Sequence, residues 1–232
     1  MSTEQVNTWV VIPAAGSGSR MGGDTPKQYL PLAGRTVIEH ALSIFCKHGS
    51  ITGIYVATAS QDPHWHTLDI SCGKILQRVD GGEQRCHSVM NALLAMDQAG
   101  DNDWVLVHDA ARPCLSRADL DHLMNELSDE PVGGLLGVAV HDTMKRTDND
   151  HRVLQTVDRD NLWHASTPQM FRYGLLKSAL ASALENDYLV TDEASAMELA
   201  GHSPVMVQSQ DGNIKITRAD DLALAEFYLS QG

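Results

Sequence analysis

Two basic residues seven positions apart, Arg20 and Lys27, punctuate the stretch VVIPAAGSGSRMGGDTPKQYL at residues 10–30. Lysine is a mobile point charge and arginine a planar fork, so a loop holding both can grip several oxygens of a polyphosphate. Gly16, Gly18, Gly22 and Gly23 give that loop conformations closed to other residues, and its peptide N–H groups can turn toward an anion. Pro26 fixes the backbone beside Lys27. Two familiar phosphate signatures are absent. A P-loop needs a Gly-Lys-Ser/Thr ending that this loop lacks, and Gly16, Gly18 and Gly22 are spaced one residue too widely for the dinucleotide fingerprint. The second mismatch disfavours a nicotinamide-dependent oxidoreductase. A plain tight turn with both cations in water fits the same residues.

Further chemistry is scattered along the chain. VLVHDAARP places His108 and Asp109 where an apolar strand ends. A strand-end Asp commonly forms a turn or caps a helix. Beside a triphosphate it becomes a candidate Mg2+ ligand, because that ion takes one or two carboxylates together with phosphate oxygens and water. His108 reads as structural and Arg112 as support for the loop. In DGGEQRCHSV, Gly81 and Gly82 close a strand and Ser88 opens the next helix, an ordinary junction on composition alone. Lys215 alternates with Ile214 and Ile216 and so faces away from the core. Thr167 precedes Pro168 and is expected to be extended. Asp192 and Glu193 read as capping and dipole pairing at a helix start.

The elements that must position these residues alternate between strand and helix. VVIPAAG, GIYVATA, KILQRVDGG, WVLVHDAARP, GGLLGVAV and PVMVQ read as strands. TVIEHALSIFCKHG, RCHSVMNALLAMDQAG, RADLDHLMNELSD, YGLLKSALASALEND, TDEASAMELAG and RADDLALAEFYL read as helices. This order predicts an α/β, Rossmann-like fold with a mostly parallel twisted sheet flanked by helices. Ligands in such folds sit at the carboxyl ends of strands. The alternation breaks at 141–159, where a polar DND turn separates two short extended stretches and suggests a protruding β-hairpin arm. Without repeats or linkers, residues 1–232 read as one domain carrying that arm.

The formal net charge of −13 argues against general binding to nucleic acid or an anionic membrane, which needs clustered Lys and Arg. Cys46, Cys72, Cys86 and Cys114 lack zinc-type spacing and read as reduced thiols. With no signal-peptide pattern and no apolar run of membrane-spanning length, a cytoplasmic protein is expected.

The run PAAGSGSRMGGDTPKQYL resembles the signature of sugar-type nucleotidyltransferases, and within them of the cytidylyltransferases that act on 2-C-methyl-D-erythritol 4-phosphate. Further motifs of that family follow in order: DGGEQRCHSV (80–89), VHDAARP (107–113), HDTMKR (141–146), TVDR with LWHASTPQ (156–169), TDEASAMELAG (191–201) and NIKITRADDLALAE (213–226). The resemblance implies cytidylyl transfer from CTP to the methylerythritol phosphate, with pyrophosphate released, in non-mevalonate isoprenoid precursor synthesis. It implies that Ala14, Ala15, Gly16, Gly18, Gly82, Glu83 and Ser88 hold the nucleotide, although many relatives carry Asp where this chain has Glu83. It places Arg20, Lys27 and Lys215 at the reacting phosphates and Asp109 also at the acceptor hydroxyls. Thr143 and Thr167 contact substrate, and Arg159 reaches the sugar phosphate in a partner's site through interlocked arms of a homodimer. Two other readings stay open at this point: a cytidylyltransferase for ribitol 5-phosphate, and a sensor that binds CTP without turnover.

Overall fold

The computed structural model describes residues 6–16 and 25–231. In chain order the elements are β1 (Thr8–Pro13), β2 (Pro31–Leu32), β3 (Arg35–Thr36), α1 (Val37–Lys47), β4 (Gly53–Thr58), β5 (Ile75–Asp80), α2 (Arg85–Leu94), β6 (Trp104–Val107), α3 (Arg117–Glu126), β7 (Gly133–Ala139), β8 (Met144–Thr147), β9 (Val153–Val157), β10 (Trp163–Arg172), α4 (Tyr173–Glu185), α5 (Glu193–Leu199), β11 (Val205–Gln208) and α6 (Asp220–Ser230). Seven strands form one sheet in the order β11-β7-β10-β6-β1-β4-β5. Its pairings are parallel except those of β10, which runs antiparallel to both β6 and β7. The expected mostly parallel sheet flanked by helices is present.

Side chains alternate across a strand, so each strand feeds two cores. Val10 and Ile12 of β1 pack with Ile38, Leu42 and Phe45 of α1 and Leu120 and Leu123 of α3. Trp9 and Val11 point the other way, into a core with Val89 and Leu93 of α2, Leu176 and Leu180 of α4, and Met197 of α5. Burial on both faces explains why these strands read as continuous apolar runs. A smaller cluster of Leu32, Val37, Ile216 and Ala225 seats α6 against the β2–β3 ribbon.

The sequence patterns did not mark β10 as a strand, for a physical reason. It contains Pro168 and the buried polar residues Ser166, Thr167 and Gln169, and its pairing with β7 shifts between Ala165 and Gln169. The Gln169 side chain accepts from the Ala194 N–H and donates to Asp192, both at 2.8 Å, so hydrogen bonding rather than apolarity carries its burial. The NIKIT stretch joins no ladder; Ile216 donates its N–H to the Ala111 carbonyl at 2.8 Å.

Within 141–159, β8 and β9 pair only with each other. Asp148 closes the connecting turn by accepting the N–H groups of Asp150 at 3.0 Å and Arg152 at 2.9 Å. His151 adopts a positive φ of 62° there.

Candidate active site

The carboxyl ends of β1, β5 and β6 open on a cleft of ≈ 190 Å³. Ala14 to Gly16 form one wall, Gly82 to Arg85 with Ser88 the opposite wall, and Lys27, Asp109 and Lys215 the charged floor. The Ala14 and Asp109 segments follow the buried strands β1 and β6, and Gly82 follows the edge strand β5, so the sheet fixes where these loops begin. Gln28 is buried and donates to the carbonyls of Ala14 at 2.8 Å and Gly16 at 3.1 Å, tying the first wall to the turn that carries Lys27. On the opposite wall, Gly82 N–H donates to Ser88 Oγ at 3.1 Å. A Cβ on Gly81 would fall 2.4 Å from that of Ala15, so the two walls come as close as they do only because this position is glycine.

Asp109 is the electrostatic centre. Its Oδ1 accepts from Arg85 Nε at 3.0 Å, its Oδ2 from Lys215 Nζ at 2.8 Å, and Arg112 Nε stands 3.6 Å from Oδ2. Burial favours the neutral acid, but Arg85 and then Lys215 outweigh it and hold the carboxyl well below the usual range. Burial likewise disfavours the Arg85 cation; Glu193 and Asp109 reverse this and raise its pKa. Arg112 differs, since burial wins over Asp109 and its pKa falls. The centre therefore holds a fixed anion among cations, with Lys27 nearby donating to the Ile216 carbonyl at 3.1 Å.

Ala14, Ala15, Gly16, Lys27, Gly82, Glu83, Ser88, Asp109 and Lys215 thus line one cleft, although they come from four separate parts of the chain. Gly18 and Arg20 lie outside the described residues. Thr167 is buried behind the cleft rather than lining it: its hydroxyl accepts the Asp109 N–H at 3.1 Å and pairs with His108 Nδ1 at 3.1 Å. Thr143 and Arg159 belong to the hairpin segment and do not line the cleft; Arg159 donates to the His141 carbonyl. His108 is fully buried, with Nε2 3.0 Å from the Arg112 carbonyl, and burial lowers its pKa to about 4. Arg112 bonds the Asn213 carbonyl at 2.7 Å and so anchors the segment that presents Lys215.

Three residues enter the site's framework although the sequence assigned them no place in it. Arg85 lies in the DGGEQRCHSV motif, Gln28 adjoins Lys27, and Glu193 reads as a helix-start acid. Glu193 is instead fully buried, and both its oxygens hold Arg85, at 2.6 and 2.9 Å. No spacing rule links residues 108 positions apart, so this partnership had no local signal.

The donor set bears on which cation could bind. Among the described residues, no three His, Cys, Asp or Glu side chains gather as a metal site. Asp109, a carboxylate lining the cleft, is compatible with Mg2+, whose remaining ligands come from phosphates and water, and does not suit a zinc-type cage.

Comparison with known proteins gives a consistent result. Residues 8–231 match the family model described as "IspD: 2-C-methyl-D-erythritol 4-phosphate cytidylyltransferase". The Pseudomonas fluorescens protein named 2-C-methyl-D-erythritol 4-phosphate cytidylyltransferase is 55% identical over 216 residues, covering 92% of each chain. The crystal structure of the Francisella tularensis protein of that name superimposes with a TM-score of 0.84 at 39% identity, over 96% of this chain and 99% of that one. A 4-diphosphocytidyl-2C-methyl-D-erythritol synthase structure gives 0.85 at 33% identity, over 97% and 99%.

Proposed function

The chain belongs to the IspD family of 2-C-methyl-D-erythritol 4-phosphate cytidylyltransferases, and on that premise we propose how its residues perform the family's reaction. The enzyme transfers the cytidylyl group of CTP to 2-C-methyl-D-erythritol 4-phosphate in isoprenoid precursor synthesis. Ribitol 5-phosphate as acceptor and CTP sensing without turnover are both disfavoured by the named relatives.

An oxygen of the acceptor phosphate attacks the α-phosphorus of CTP, the α–β bridging bond breaks, and pyrophosphate leaves in line. The attacking phosphate arrives ionised, so no general base is required. The protein's work is to orient two polyanions and to neutralise charge as it develops. The cytosine ring sits between the Ala14–Ala15 backbone and Gly82, Glu83 and Ser88, where the approach of the walls suits a pyrimidine. Lys27, Lys215 and Arg20 take the phosphate oxygens at the pentacoordinate centre and on the leaving group, with Gly16 and Gly18 supplying loop backbone. Asp109 would hold Mg2+ together with phosphate oxygens, and that ion, when bound, offsets triphosphate charge. Asp109 also contacts the acceptor, as do Thr143 and Arg159, with Thr167 supporting it.

We assign the hairpin of β8 and β9 to a homodimer contact that carries Arg159 toward the partner's acceptor phosphate. An isolated two-stranded hairpin is marginal in water, and Val153 and Leu154 are 60% and 63% exposed, which supports a partner for this surface. We place the enzyme in the cytoplasm on its unpaired cysteines; among the described residues, no helix is long and apolar enough to cross a membrane.

The observation that carries the reading is the convergence of Lys27, Lys215 and Asp109 on one cleft at the strand ends. Magnesium-dependent pyrophosphate release, with the two acceptors offered separately, tests it. Turnover with methylerythritol phosphate is expected, and turnover with ribitol phosphate alone would overturn the acceptor.

A further inference from the structure

Each oxygen of the Asp109 carboxylate has its own cation, Oδ1 with Arg85 Nε at 3.0 Å and Oδ2 with Lys215 at 2.8 Å. Arg85 is itself held from behind. Its Nη1 and Nη2 meet the two oxygens of Glu193 at 2.6 and 2.9 Å, a two-point grip that fixes the plane of the guanidinium and leaves its Nε edge toward Asp109. Arg85 lines the cleft, so without that grip its long side chain could swing to a bound polyphosphate.

Glu193 has little freedom of its own. It is fully buried. Asp192 before it caps the Ser195 N–H at 3.0 Å, and Gln169 of β10 clamps Asp192 and the Ala194 N–H. The chain of contacts thus runs from the β10 strand through α5 to Arg85 and ends at the cleft.

We propose that Glu193 and Arg85 are positioning residues for the transfer: Glu193 orients Arg85, and Arg85 orients Asp109 so that its second oxygen faces Lys215 and the bound triphosphate. This rests on the cytidylyl-transfer reading above. Neither residue needs to touch the nucleotide for the relay to work. A small displacement of a group that orients substrate costs about a hundredfold in rate, so the effect should appear in turnover.

The test compares wild type, Glu193→Gln, Arg85→Lys and the double variant. Pyrophosphate release at saturating acceptor gives kcat and KM for CTP, calorimetry gives CTP affinity, and thermal melts establish that each variant is folded. For Glu193→Gln the expected result is a kcat loss of about tenfold to a hundredfold with CTP affinity within about threefold. Because one residue acts through the other, the double variant should be no worse than the more impaired single variant. Normal kcat in folded Glu193→Gln, losses that multiply in the double variant, or an effect confined to CTP affinity would each overturn the relay. Should Glu193→Gln fail to fold, Arg85→Lys decides alone: it keeps the positive charge against Glu193 but not the fork, and an unimpaired kcat contradicts the proposal. Absence of turnover in the wild type would instead overturn the transfer reading, whatever the variants do.

Discussion

Lys27 donates to the carbonyl of Ile216, the neighbour of Lys215, so one hydrogen bond ties together segments 188 positions apart that each carry a lysine of the cleft. Lys27→Ala is expected to lower kcat by about 10²–10³-fold with a smaller change in CTP affinity, because its contact strengthens as charge develops. Steady-state kinetics with calorimetry checks this, and an unchanged kcat would remove the role. Asp109→Asn leaves Arg85, Lys215 and Arg112 without their shared anion. A kcat loss above about a hundredfold and a weakened response to Mg2+ are expected, read from a metal titration. At this scale the sequence revealed residues whose chemistry is local. A lysine beside Pro26, or an aspartate at a strand end, declares its options through its neighbours. Glu193 does not: an acid at a helix start looks like a dipole partner, and only the fold brings it to Arg85.

At the scale of elements, α1 begins with a reciprocal cap: Thr36 Oγ1 accepts the Glu39 N–H at 3.4 Å, and the Glu39 carboxylate accepts the Thr36 N–H at 2.6 Å. Glu39 also accepts the Asp69 N–H at 2.7 Å, pinning the segment after β4 to this helix. Burial pushes the Glu39 carboxyl upward, but the Thr36 and Asp69 bonds outweigh it and its pKa falls. The unfolded chain therefore binds this proton more readily than the folded one. The stabilisation is present above the ordinary glutamate range and is lost as pH drops through the lower folded value. Glu39→Gln keeps one accepting oxygen for the cap, gives up the other acceptor and removes the titration, so urea unfolding of this variant should vary less between pH 5 and pH 3. Glu39→Ala should cost about 1 kcal/mol at neutral pH. The amphipathic helices and the apolar strands were readable because both have short-range periodicity. The β10 strand was not, since its burial depends on Gln169 bonding α5 and on a pairing shift that no alternation encodes.

For the whole molecule, two cores on opposite faces of one sheet hold the strand ends in place, and the loops that line the cleft extend from them. This architecture followed from the alternation of strand and helix patterns; the antiparallel insertion of β10 into an otherwise parallel sheet did not. The exposed hairpin belongs to a larger assembly in our account. Leu154→Glu should shift the protein from dimer to monomer in sedimentation experiments and raise KM for the acceptor more than KM for CTP. Arg159→Ala should weaken acceptor binding while the dimer persists.

The most direct test of the central claim is pyrophosphate release by the purified protein with Mg2+, each of CTP, ATP, GTP and UTP, and either methylerythritol phosphate or ribitol phosphate. The account predicts rapid release only when CTP and 2-C-methyl-D-erythritol 4-phosphate are both present. Binding of CTP without release under those conditions would contradict it.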